Sequence, residues 1–234
     1  MNEIVPAFRK SLFNDDVKSV LKDVSEVGFD SVFKEGVLRD IPIINTITAL
    51  CKTGINIRER NFIKQTICFI NEFNSGDLSQ EKRDEHQRKL EKDSDMAEKE
   101  LDIVLLFLDN NTEIEISKIA GRMYSSYVKG ALSWDKFAEL IEVNKRMFLG
   151  DYKMLILLND PRIDSKQIIK EKYRFGRLLG LGLIVESDSA LAEKRLIEEM
   201  HKVENSTLQI NAVFPKKYYQ LTPLGKTLLQ YVEK

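Results

Sequence analysis

Four cations and one aromatic ring are spaced to share a single helix face near the carboxyl end of this chain. The apolar periodicity predicts a helix over Ser165–Leu179, with Asp164 as its N-cap and Gln167 three residues on, as in a capping box. At about 100° per residue, Lys166, Lys170, Arg174 and Arg177 fall within about 80° of one another. Tyr173 lies beside them, and Ile168, Phe175 and Leu179 lie opposite. One face is thus suited to pack on a core and the other to meet a polyanion. Lysine and arginine reach phosphates, and arginine also forks onto guanine. The same pattern describes a solvated face that only keeps a protein soluble, so the helix has to be read with its neighbours.

Other chemistry is thin. The two histidines, His86 and His201, lie in charged stretches with no Cys or His partner at metal spacing, so both are expected on the surface and no metal site is expected. No nucleophile elbow, phosphate loop or dinucleotide fingerprint occurs. Asp109–Glu115 has the acidic look of a calcium loop, but Ile114 stands where the sharp turn needs glycine. From Glu81 to Glu100, 14 of 20 residues are charged, and these carboxylates are expected in water, without an apolar pocket to tune them. Trp134 is expected as a core anchor. These readings point to a protein that is not an enzyme, with no catalytic residues and no cofactor.

Composition agrees with a folded, helix-rich chain. The 234 residues are 43% hydrophobic and 31% charged, with a net charge of -1. That charge is uneven: residues 161–234 hold 13 Lys and Arg against 9 Asp and Glu, a local net of +4. Cys51 and Cys68 sit in apolar surroundings and make no disulfide framework. The first residues do not read as a signal peptide, so the cytoplasm is expected and the sequons at Asn110 and Asn205 carry no weight. Ile41–Ile57 is shorter than a span and holds Asn45, Lys52 and Asn56, so membrane association is not expected.

Along the amino-terminal part the pattern is helical. A helix or broken helix is expected over residues 11–39, and another from about Ile43 after the turn at Pro42. Arg58–Phe73 follows, with Ile63, Ile67 and Ile70 as a stripe widened by Phe62, Phe69 and Phe73. The charged run and Leu101–Leu108 read as one long helix, exposed first and buried later. Ile116, Ile119, Met123 and Val128 mark the next helix, which ends at Gly130. Ser133 caps a further helix over Trp134–Phe148, and Gly150 separates it from Tyr152–Leu158.

After the basic helix, Gly180 and Gly182 permit a tight exit. Leu183–Val185, Leu208–Val213 and Lys217–Leu221 have strand character, and Thr222-Pro223 opens a last helix that packs through Leu224, Leu228, Tyr231 and Val232. The order of helix, Leu178-Leu-Gly-Leu-Gly-Leu-Ile184, hairpin and Tyr219-Gln-Leu-Thr-Pro-Leu-Gly-Lys-Thr-Leu-Leu229 resembles the carboxyl half of bacterial winged-helix domains. The resemblance implies that the basic helix reads DNA and that hairpin-tip cations touch its backbone. By position these are Lys166, Lys170, Tyr173, Arg174 and Arg177 on the helix, with Lys216 and Lys217 near the hairpin. The wing departs from the pattern: Glu186–Ser206 is an enlarged insertion that itself looks helical.

The stretches Asp40-Ile-Pro-Ile-Ile-Asn-Thr-Ile47 and Ile57-Arg-Glu-Arg-Asn-Phe-Ile-Lys64 resemble small helical bacterial proteins found near phage-defence and abortive-infection genes. That resemblance implies a prokaryotic or phage setting. The expected architecture is mainly α: a helical domain over residues 1–150, then a small α+β winged-helix-like domain over residues 151–234. The expected partner is duplex DNA. The alternative is a protein partner, with the carboxyl-terminal domain as an adaptor or as the surface of a homodimer.

Overall fold

Apolar stripes at helical spacing dominate the sequence, and the computed structural model is mainly helical, with one small antiparallel sheet. It describes residues 3–17, 40–51, 54–159, 172–188 and 217–232, with backbone alone for Lys172, Ser187, Asp188, Lys217 and Tyr218. The chain divides into two compact units, Met1–Met147 and Phe148–Lys234.

The first unit contains α1 (Ile4–Phe13), α2 (Pro42–Leu50), α3 (Ile57–Ser75), α4 (Gln80–Lys92), α5 (Ser94–Asn110), α6 (Ile114–Val128) and α7 (Trp134–Asn144). The pairing of α3 with α6 is its most extensive helix contact. Gly121 makes it close: a Cβ built there would stand 2.5 Å from the carbonyl oxygen of Phe69. The wide stripe of α3 is buried as expected at Ile63, Ile67, Phe69, Ile70 and Phe73. Aromatic rings fill the centre, with Tyr124 meeting Phe69, Phe73 and Phe137 at centroid distances between 5.5 and 5.7 Å. Trp134 is half-buried and packs its ring on Tyr127 and Phe137.

Helix starts follow their cap residues. Asn56 and Glu59 form a full capping box on α3, and Ser79, Asp93 and Ser133 cap α4, α5 and α7. Pro42 stands in the first turn of α2, where its missing N–H costs nothing.

The long helix expected across the charged run is two helices. Asp93 leaves helical geometry (φ -125, ψ 96), and its carboxylate accepts the Met96 N–H, so it ends α4 and starts α5. Local side-chain capping outcompetes helix continuation at this aspartate. The helix at Trp134 also stops earlier than expected, at Asn144. No described helix is long and apolar enough to cross a membrane.

In the second unit, α8 (Leu149–Asn159) and α9 (Lys172–Gly180) precede β1 (Ile184–Asp188), β2 (Lys217–Leu221) and α10 (Pro223–Leu229). Gly150 lies inside α8 rather than separating two helices. The strands pair antiparallel, from Ile184 opposite Leu221 to Asp188 opposite Lys217. Residues 186–188 of the expected insertion are therefore strand, whereas its remainder, the strand expected at Leu208–Val213 and the start of the basic helix lie outside the described residues.

Gly121→Ala is expected to cost about 1–3 kcal/mol, because backbone rather than a flexible side chain blocks the added methyl. Urea unfolding of the full chain, followed by far-ultraviolet circular dichroism, measures the shift in midpoint.

Candidate functional sites

The exit from α9 is fixed by a Schellman motif. The Gly182 N–H donates to the Leu179 carbonyl and the Leu183 N–H to the Leu178 carbonyl, both at 2.9 Å, with Gly182 at φ +69. The Thr222 hydroxyl donates to the Gly182 carbonyl at 2.7 Å and accepts the Gly225 N–H at 3.1 Å, tying the start of α10 to that turn. Phe175 and Leu178 are buried, and the Phe175 ring meets Tyr219 of β2 at 4.6 Å. Helix, strand pair and closing helix are thereby held together within this unit.

The opposite side of α9 carries the expected contact residues. Tyr173 is 62% exposed, and the Arg174 guanidinium lies 5.0 Å from its ring centre. The two arginines converge on Asp151, which the helical wheel did not include. One guanidinium nitrogen of Arg177 donates to both Asp151 oxygens, at 2.8 and 2.7 Å, and Arg174 Nη1 lies 3.4 Å from Oδ1. The Asp151 side chain is fully buried, and it also accepts the Phe148 N–H at 2.8 Å as the first-turn acid of α8. The Arg177 guanidinium sits over the Phe148 ring, 4.5 Å from its centre, and Phe148 is 61% exposed.

Among the described residues, two guanidinium groups thus face one carboxylate here. Lys217 lies in β2 opposite Asp188. Lys166, Lys170 and Lys216 lie outside the described residues. Sequence reasoning misses Asp151 because Gly150 reads as a break between helices. An acid in the third position of a helix beginning at Leu149 is the signal that could have found it.

A second polar cluster lies in the first unit, where a solvated run was expected. His86 and Glu100 are both buried. Glu100 Oε1 lies 2.7 Å from His86 Nε2 and accepts the Tyr124 hydroxyl at 2.6 Å, and Oε2 accepts the Tyr127 hydroxyl at 2.9 Å. The expectation of a surface histidine at His86 is corrected: α4 turns one face inward, burying His86, Leu90 and Arg83. His201 lies outside the described residues. Among the described residues no group of three or more His, Cys, Asp or Glu is placed to hold a metal.

Burial holds both tyrosines of this cluster well above the usual phenol range, and the Glu100 charge adds to it. Glu100 thus joins α5 to α4 through His86 and to α6 through Tyr124 and Tyr127.

No family model matches the sequence, and neither a curated protein nor a solved structure matches it.

Asp151→Ala is expected to cost the second unit about 3–5 kcal/mol, by leaving two guanidinium groups gathered without their acid. Thermal unfolding of the full chain tests this. An unchanged transition would show the ion pairs to be incidental.

A raised tyrosine pKa in the folded state means that stability is complete below the unfolded value near 10 and is lost as pH rises above it. Urea midpoints are thus expected to fall between about pH 8 and about pH 11. The fall should be smaller in Tyr127→Phe, and tyrosinate absorbance should show Tyr124 and Tyr127 ionising only on unfolding.

Proposed function

We propose that the protein binds duplex nucleic acid through its second unit, which works in the manner of a winged helix. One observation carries the reading: α9 buries Phe175 and Leu178 on one side and exposes Tyr173 on the other, immediately before a strand that pairs antiparallel with β2. The local net charge of +4 over residues 161–234 supports it.

Asp151 changes the roles within the proposed surface. Arg177 and Arg174 act as struts that hold α9 to α8, because withdrawing a guanidinium from a buried carboxylate costs more than one exposed phosphate contact returns. The contact set becomes Lys166, Lys170, Tyr173, Lys216 and Lys217. In this reading the first unit is a helical body without chemistry of its own.

A second reading has a specific observation in its favour. The neutralising acid, together with exposed Phe148 and Tyr173 beside two arginines, gives the aromatic and arginine composition of a protein interface. The unit would then be an adaptor or a homodimer surface, and the setting that of the helical phage-defence proteins resembled in sequence.

Retention on immobilised duplex DNA across a salt series separates the two. Four lysine contacts predict that log affinity falls with log salt at a slope of about -4, and Lys166→Glu with Lys170→Glu should remove about half of that slope. Retention that ignores both salt and the double substitution would refute the nucleic-acid reading. Absence of retention, with self-association lost in Phe148→Ala plus Tyr173→Ala, would favour the second.

A further inference from the structure

An apolar groove of about 470 Å³ opens on the first unit, between α1, α2, α3 and α5. Its wall includes Ile47, Leu50, Phe62, Leu105 and Leu106, with the thiol-bearing Cys51 at the end of α2. Two of these are exposed although they are leucines: Leu50 at 55% and Leu106 at 59%. Beside the groove, at the start of α3, Ile55 is 38% and Ile57 90% exposed. Large apolar side chains are thus exposed both in the groove wall and in the segment that adjoins it at Asn56. Exposed apolar side chains gathered at a groove mark an interaction site rather than ordinary scatter.

The rim has a sign. Its charged residues are Glu59, Asp102 and Asp109 against Arg58, which is three acids to one base. Arg58 is spent on Asp109, its Nε donating to Oδ1 at 3.1 Å. Glu59 closes the capping box of α3 by accepting the Asn56 N–H at 2.8 Å. A net negative rim around an apolar floor is complementary to an apolar stripe flanked by cations.

We propose that this groove receives an amphipathic helix of another protein, seating aliphatic side chains on Leu50, Phe62 and Leu106 with Lys or Arg beside Glu59 and Asp102. The mode is helix-in-groove recognition, read by anchors at helical spacing. It is independent of the second unit's proposed contact with nucleic acid: either stands if the other falls. Together they would make the chain a bridge between a polyanion and a cationic helix.

Cys51 supplies the local readout. It is half-buried in the groove wall, whereas Cys68 is buried and its thiol is pushed up to about 12 by that burial. Alkylation of the folded protein is thus expected at Cys51 first.

The probes are two synthetic helices with one Leu stripe, flanked in one by Lys and in the other by Glu, added to the full chain. The Lys helix should bind and slow Cys51 alkylation at least tenfold, and the Glu helix should do neither. Leu106→Glu, at an exposed position, should weaken the Lys helix at least tenfold, and Asp102→Lys, which brings the rim to two acids and two bases, should abolish the preference between the probes. Equal protection by both helices, protection by neither, or binding unaffected by Leu106→Glu would overturn the proposal. So would concentration-dependent protection of Cys51 without peptide, which would make the occupant a second copy of this chain.

Discussion

Glu100 is a carboxylate at 3% exposure, and a charge so far from water must be met by protein groups at every lone pair that counts. Meeting it fixes much of the first unit. His86 has to come from α4, Tyr124 and Tyr127 from α6, and Glu100 itself from α5. Three helices are thereby registered against one another by hydrogen bonds between 2.6 and 2.9 Å, inside a cluster of rings. The nearby Arg83, also buried on α4, donates to the Asn74 side chain and to the Leu12 carbonyl, and lies against Phe73. Apolar burial drives collapse here, and the polar contacts choose which collapsed arrangement is kept.

The second unit repeats the device on a smaller scale with Asp151. Its consequence is functional as well as structural, because the groups that satisfy the buried acid are those that a helical wheel would assign to a partner. A wheel places residues on a face and says nothing of what lies opposite that face in space. Arg177 is legible as a cation from its spacing, but its role depends on a residue 26 positions away on another helix.

The elements themselves were largely readable. Stripes such as Ile63-Ile67-Ile70, caps such as Ser133, and the Thr222-Pro223 start are local signals, and local physics decides them. Two kinds of feature were not readable. Asp93 stood within an unbroken charged pattern, where the choice between continuing and recapping a helix turns on a contest of a few tenths to about 1 kcal/mol. The inward face of α4 was hidden because Arg83 and His86 are polar, so hydropathy could not mark them as buried. Only the spacing of Arg83, His86 and Leu90, at three and four residues, traced that face. The apolar groove was equally invisible, since it is made by four helices and by no single stretch.

The joint at Asp93 also limits how this chain tolerates changes in length. His86 and Glu100 are 14 residues apart and bonded across that joint. One residue added or lost within either helical segment between them would turn that segment's side chain by about 100° relative to the joint and carry the carboxylate off its histidine. A chain that keeps this cluster can therefore change the residues between these two positions, but each helical segment must keep its length.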